Sequence, residues 1–261
     1  MKKKKNSILI ILIVIFALAI IAAAIFLVIK TINENTSDDE YNKIASSYAG
    51  DVGNETITSP SIDVNHEKNP IDFSSLQKQN KDIYSWIYIP ETNINYPVCQ
   101  SSNDDNFYLD HDIYGDYSYA GAIYSQVCNS LDYSDRVTVL YGHNMANASM
   151  FADLHKFEDS DFFNSNKYMY VYTPGHKLTY EVVSAFTYDD RHIMNSFDFS
   201  DDTAFEEYLD IIQNPHSISK NVREGINLTL DDKILTLSTC LNSGEGRYLV
   251  QGALVKDELT E

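Results

Sequence analysis

From Ile8 to Ile29 the chain is an unbroken apolar run. As a helix it would extend about 33 Å, enough to cross a hydrocarbon core of about 30 Å. From Thr31 to about Pro70 the pattern turns polar. Asn, Ser, Thr, Asp and Glu dominate there, with scattered apolar residues and no sustained period, which predicts a stalk. Past Asp72 the pattern tightens. Phe73, Leu76, Asn80, Ile83 and Tyr84 recur at roughly helical spacing and predict a short amphipathic helix. Strand patterns follow at 86–90, 94–98 and 120–125, then at 136–141, with turns between them. Met150 to Phe163 reads as a helix or helical turn. Tyr168–Thr173 and Leu178–Phe186 read as a hairpin turned at Pro174-Gly175. Asp202 to Gln213 carries Phe205, Tyr208, Leu209 and Ile212 on one face, as an amphipathic helix would. Two last strands cover 233–239 and 247–255. Short strands at this density imply a mainly β domain, a barrel or a sandwich.

The division that follows is residues 1–30 as a Lys-rich tip and membrane-spanning anchor, 31–70 as a polar stalk and 71–261 as one folded domain. A core of about 185 residues suffices for a single domain. Ala22-Ala23-Ala24 would also suit a cleavable signal peptide. A cleavable apolar region is only about 7–15 residues long, however, and this run continues through Ile25 to Ile29, so an uncleaved anchor is expected. Lys2 to Lys5 precede the span, whereas Glu34, Asp38, Asp39 and Glu40 gather after it. The positive-inside rule then places the N-terminus in the cytoplasm and the domain outside the cell.

The formal net charge of -19 conceals an asymmetry. Five of the 19 basic residues lie in the first thirty positions, where there is no acid, so the rest of the chain sets 14 basic residues against 38 acidic ones. Such a body repels polyanions, which excludes a nucleic-acid partner. The three cysteines, Cys99, Cys128 and Cys240, are too few for a disulfide scaffold. Cys99 and Cys128 read as strand residues with small apolar roles, and pairing between them stays open. No HExxH or paired-Cys pattern is present, so neither a metal nor a cofactor is expected.

The chemistry gathers at Thr236-Leu237-Ser238-Thr239-Cys240. A β-branched apolar strand carries a cysteine to its end, a turn with two glycines follows, and Arg247 opens the next strand. The strand ending at Tyr141 breaks at Gly142 to present His143 and Asn144. Strand-end Cys and His on one scaffold suggest a thiol nucleophile acting on an acyl group. A free thiol, with its pKa near 8.5, is only a few per cent ionised at neutral pH, so a cationic imidazole beside it helps, and that imidazole can then protonate a leaving amine. Arg247 can hold a carbonyl or an oxyanion, and the backbone N–H of Leu241 is the natural second donor.

These residues resemble the sortases, the membrane-anchored cysteine transpeptidases of Gram-positive bacteria, and most closely class B. Thr236 to Cys240 is similar to the TLxTC signature of that family. Tyr141-Gly142-His143-Asn144 and the arginine opening the next strand add to the likeness. The helix before Trp86–Pro90, the stretch Asn106 to Gly121 and the helix around Phe205 to Ile212 favour class B. The resemblance covers about residues 72–256. It implies a closed β-barrel of about eight strands, with an N-terminal helix and a helix inserted before the catalytic strand. It implies Cys240 as nucleophile, His143 as general acid/base and Arg247 as stabiliser of substrate and oxyanion, with Leu241, Tyr141, Ser238 and Thr239 lining the substrate and oxyanion site. The reaction it implies cleaves a C-terminal x-Pro-x-Thr-x sorting signal of a secreted protein after Thr, through a thioacyl-enzyme. The acyl group then passes to an amine of a lipid II-type peptidoglycan precursor. One departure is that only six residues separate Cys240 from Arg247, a shorter loop than in several sortases, which leaves substrate preference open.

Three other readings stay open from sequence. A pilin-polymerising sortase would use a pilin lysine as acceptor. A hydrolytic exported cysteine protease would release only the free acid. A surface adhesin would need no Cys240 at all.

Overall fold

The computed structural model describes residues 2–50, 52 and 68–261, with side chains from residue 11 onward. Helix α1 spans Lys2–Tyr48 without a break, and its apolar segment from Ile11 is long and apolar enough to cross a membrane. Its second half corrects the expected stalk. Residues 31–48 are helical, and Tyr41 and Ile44 bury against the domain while Ala45 and Tyr48 pack beside them. The spacing 41, 44, 45, 48 is one narrow helical face, too sparse among polar neighbours to show as a period. The remainder of the expected stalk, residues 53–67, lies outside the described residues.

Helix α2, Phe73–Gln79, is shorter than the sequence pattern implied. It starts at Asp72, whose carboxylate accepts from Ser75 N at 3.0 Å. It stops at Asn80, whose side chain donates to Tyr108 Oη at 2.7 Å and to Ile113 O at 2.8 Å. Ile83 and Tyr84 therefore belong to the first strand.

The strands are β1 Ile83–Tyr88, β2 Asn95–Cys99, β3 Ile123–Tyr124, β4 Val137–Tyr141, β5 Tyr168–Thr173, β6 His176–Tyr188, β7 Lys220–Val222, β8 Ile234–Cys240 and β9 Arg247–Leu259. They pair in the order β5-β1-β2-β3-β4-β8-β9-β6, and β6 pairs back to β5, so eight strands close a barrel. β7, which the sequence pattern did not predict, pairs only with the distal half of β6. The pairs β2–β3 and β4–β8 are parallel and the others antiparallel. A closed barrel leaves no long free edge.

Between β4 and β5 a 3-10 turn (Ala152–Glu158) and helix α3 (Ser160–Ser165) stand where one helical stretch was expected. Between β6 and β7 come the single-turn helix α4 (Ile193–Ser196) and helix α5 (Asp202–Gln213), the latter with the expected bounds. Both barrel faces are covered. Trp86, Leu235, Leu237 and Tyr180 fill the interior cluster, and Phe205, Tyr208 and Ile212 of α5 press on Val137, Val139 and Leu249 from outside. β8 is thus buried on both faces, which is why it reads as a continuous apolar run. All three cysteines are free. Cys99 is buried in β2, while Cys128 lies exposed in a turn instead of the strand predicted for it, because β3 ends at Tyr124.

Candidate active site

Parallel pairing of β4 with β8 sets Tyr141 opposite Ser238. Cys240 stands two residues further along β8 and His143 two residues past the end of β4, so the register brings both to the same rim of the barrel. On the other side of β8 the antiparallel pairing with β9 sets Arg247 opposite Cys240. Leu109, Tyr124, Tyr141, Gly142, His143, Ser238, Thr239, Cys240 and Arg247 line one small cleft of about 90 Å³.

Arg247 donates from Nη1 to Cys240 Sγ at 3.7 Å, and the same nitrogen reaches Asp190 Oδ1 and Gly246 O, each at 3.2 Å. Asp190 also accepts from Gly246 N at 2.9 Å. This carboxylate, in the loop after β6, therefore fixes both the turn and the guanidinium that follows it. Sequence reading missed Asp190, because nothing about its position marks a partner for residue 247.

The imidazole of His143 donates from Nε2 to Leu109 O at 2.7 Å and stacks on Tyr119, with ring centroids 5.8 Å apart. Among the described residues no hydrogen bond joins His143 to Cys240. Catalytic hydrogen bonds often tighten only when substrate binds. The hinge before His143 has to be glycine. A Cβ at Gly142 would lie 2.6 Å from Ile123 Cδ1 and 2.7 Å from the Phe151 ring. Ser238 O accepts from Gly142 N at 3.2 Å, and Thr239 Oγ1 donates to Gly142 O at 2.8 Å. Ser238 and Thr239 thus line the cleft and also clamp the His143 segment to the Cys240 strand.

Behind the cysteine, two residues hold its carbonyl. Asn144 Nδ2 donates to Cys240 O at 3.1 Å and to Asn242 Oδ1 at 2.9 Å. His155 donates from Nε2 to Cys240 O at 3.0 Å, turns Nδ1 to Glu158 Oε1 at 2.5 Å and stacks on Tyr248 at 4.9 Å. Neither was singled out for this role in the sequence, because both reach Cys240 only through the fold.

Leu241 departs from expectation. Its N–H faces Gly246 O at 3.4 Å, across the tight turn, and the residue does not line the cleft. That distance is longer than a normal N–H···O bond, so the donor is weakly held. Tyr141 does line the cleft, and its hydroxyl is buried without a partner among the described residues, as are Tyr188 Oη and His192 Nδ1. Burial raises the Tyr141 phenol well above its usual pKa, and burial pushes the Tyr124 phenol up to about 12 despite the cationic Arg247, so both phenols stay neutral. Among the described residues no group of three His, Cys, Asp or Glu side chains is placed to hold a metal.

A thiol flanked by a guanidinium and an imidazole on adjoining strand ends can attack an acyl carbon, protonate a leaving group and steady an oxyanion. Residues 87–255 match the family model of the Sortase domain. The chain belongs to the sortase family. Sortases are cysteine transpeptidases, and the relatives place this one in class B. Sortase B of Listeria monocytogenes is 36% identical over 186 residues, covering 69% of this chain and 72% of the relative. Sortase B of Staphylococcus aureus is 33% identical over 170 residues, covering 64% and 67%. Among solved structures, Clostridium perfringens sortase B superposes with a TM-score of 0.63 at 35% identity, over 70% of this sortase and 99% of that chain. A Staphylococcus aureus sortase B–substrate complex matches with a TM-score of 0.63 at 29% identity, over 70% and 84%. The eight-stranded mixed barrel with its N-terminal helix is the sortase barrel.

Proposed function

We propose that Cys240 is the nucleophile, His143 the general acid/base and Arg247 the stabiliser of the substrate carbonyl and the oxyanion. The observation that carries this is the two-sided register of β8, with Arg247 Nη1 3.7 Å from Cys240 Sγ on one side and, on the other, Tyr141 opposite Ser238, so that His143 lines the same cleft as Cys240. The Cys240 thiolate attacks the threonine carbonyl carbon of an x-Pro-x-Thr-x sorting signal, forming a C–S bond and a tetrahedral oxyanion that faces Arg247. Collapse breaks the C–N bond after Thr, and His143 gives the leaving amine its proton. An acceptor amine then attacks the thioacyl carbon, yields its proton to His143, and the C–S bond breaks to restore the thiolate.

The peptide substrate is supported by the substrate complex solved for the Staphylococcus aureus relative. The acceptor in this reading is an amine of a lipid II-type peptidoglycan precursor, and the donors are secreted proteins with C-terminal sorting signals. The chain is a single-pass membrane protein, with residues 1–30 as tip and anchor. The four lysines ahead of the span lie on the cytoplasmic side and the barrel outside the cell. Tyr141, Ser238 and Thr239 line the substrate groove. Leu241 N–H becomes an oxyanion donor once it releases Gly246 O.

The test is mass spectrometry of the full chain in detergent, incubated with a panel of x-Pro-x-Thr-x peptides with and without an added amine. A thioacyl adduct on Cys240, resolved by the amine into a new amide and lost in Cys240→Ala, is expected. Release of the free acid alone, with product unchanged by the amine, would make this a hydrolase and overturn the transfer step.

A further inference from the structure

The membrane-proximal end of α1 reaches the wall of the cleft. Tyr119, whose ring stacks on His143, also has Lys30 Nζ 5.3 Å from its centroid. Lys30 is the first charged residue after the apolar run, so a single aromatic ring separates His143 from the end of the span. Three further contacts hold the helix there. Asn147 Nδ2 donates to Glu34 O at 3.0 Å, the hydroxyls of Ser37 and Ser118 lie 3.2 Å apart, and Tyr41 Oη donates to Gly121 O at 2.8 Å. These partners come from the two loops that build the cleft, the one carrying Leu109 and the one carrying His143.

Between α1 and the first of these loops runs a groove of about 550 Å³, lined in part by Phe26, Ile29, Lys30, Tyr117 and Tyr119. Phe26 and Ile29 belong to the span and are 66% and 52% exposed, and Tyr117 and Tyr119 are 73% and 53% exposed. Side chains that share a groove with residues immersed in hydrocarbon sit at the headgroup level, where tyrosine, with an apolar ring and a polar tip, is favoured. The groove also carries three carboxylates, Glu34, Glu40 and Asp112. Glu40 lies about 15 Å further up the helix than Lys30 and faces Asp112. Glu34 is covered by the domain and sits 3.7 Å from Lys30 Nζ.

We infer that the face carrying Tyr117 and Tyr119 is a bilayer-contact surface seated in the headgroup layer, and that it sets the mouth of the cleft at the membrane surface. This rests on the reading of α1 as the membrane anchor. A lipid-carried amine then reaches Cys240 without leaving the surface.

The test places tryptophans in the full chain and reads their fluorescence in phosphatidylcholine vesicles brominated near the headgroup end of the acyl chains. Tyr117→Trp is the probe, and wild type gives the baseline from Trp86, which is wholly buried. Leu259→Trp is the control. Leu259 is exposed at the end of β9, where Glu261 O accepts from Asn69 N. Nearby Ile71 bridges Ala49, about 28 Å up α1 from Lys30. The expected result is about a twofold loss of the added emission for Tyr117→Trp and none for Leu259→Trp. If the vesicles carry the chain yet Tyr117→Trp is no more quenched than Leu259→Trp, the contact surface is overturned. If the chain does not float with the vesicles, the anchor reading falls and the surface with it. Neither readout needs turnover, so a failure of transpeptidation is seen separately.

Discussion

Tyr208→Phe removes one oxygen atom and strands two partners. Tyr208 is fully buried on α5, its hydroxyl lies 2.9 Å from Thr236 Oγ1 on β8, and it accepts from Gln251 Nε2 on β9 at 3.0 Å. Because the Gln251 amide donates, the phenol proton points to Thr236. Burial raises the phenol pKa, which keeps that proton in place at neutral pH. Ser184 Oγ completes the chain by donating to Gln251 Oε1 at 3.2 Å. Phenylalanine keeps the ring and its packing but leaves a buried N–H without an acceptor and a buried hydroxyl without its donor. The expected cost is about 2 kcal/mol, within the range for an unsatisfied buried group, which in a domain of this size lowers the thermal midpoint by about 4–8 °C. Thr236→Val should cost less, about 1 kcal/mol, since Tyr208 Oη still accepts from Gln251 and only its own proton loses a partner. The assay is equilibrium guanidinium unfolding of the full chain in detergent, followed by Trp86 fluorescence. Below the midpoint both variants should retain wild-type transpeptidation. A larger loss for Thr236→Val than for Tyr208→Phe would refute the assignment of donor and acceptor. A loss under about 0.3 kcal/mol for Tyr208→Phe would refute the claim that these groups have no other partner.

Three further outcomes follow from the cleft. Gly142→Ala forces a methyl against Ile123 and Phe151, so it should cost about 1–3 kcal/mol and lower turnover as His143 shifts, read by unfolding and by peptide transfer. Arg247→Lys keeps the charge but loses the planar guanidinium whose Nη1 meets both Cys240 and Asp190. It should lower turnover about a hundredfold while the Cys240 thiol still reacts with a small alkylating agent. Asp190→Asn removes an ion pair whose members are 37% and 65% exposed, and such a pair is worth about 1 kcal/mol at most, so transfer should fall by less than about fivefold. A hundredfold fall there would mean that Asp190 meets substrate directly.

What could be read from sequence divides by range of interaction. β8, β9 and α5 carry their own periodicity, and a cysteine, a histidine and an arginine at strand boundaries announce themselves without the fold. The barrel needed more: β7, three residues long, is too short to print a pattern, and the strand expected over 120–125 shrinks to the two residues of β3, yet β3 is the link that closes the ring between β2 and β4. The stalk failed for the opposite reason. Tyr41, Ile44, Ala45 and Tyr48 do form a helical face, but a stripe this narrow gains its meaning only from the barrel surface it meets.

The site shows the same limit with a sharper consequence. Cys240, His143 and Arg247 occupy the rim because of register, and register is a property of pairs of strands. What holds them is a set of contacts from elsewhere in the chain: Asp190 on Arg247, Asn144 and His155 on the Cys240 carbonyl, and Tyr119 against His143. Each is an unremarkable residue in its own segment and acquires a role only through a neighbour more than about twenty positions away. The candidate reacting groups are therefore legible as types, while the groups that orient them are legible only in three dimensions. That division locates where this chain can differ from its class B relatives without losing the reaction. Substitution at Asp190, His155 or Tyr119 is expected to alter how firmly the three central side chains are held, whereas substitution at Cys240 removes the atom proposed to form the bond.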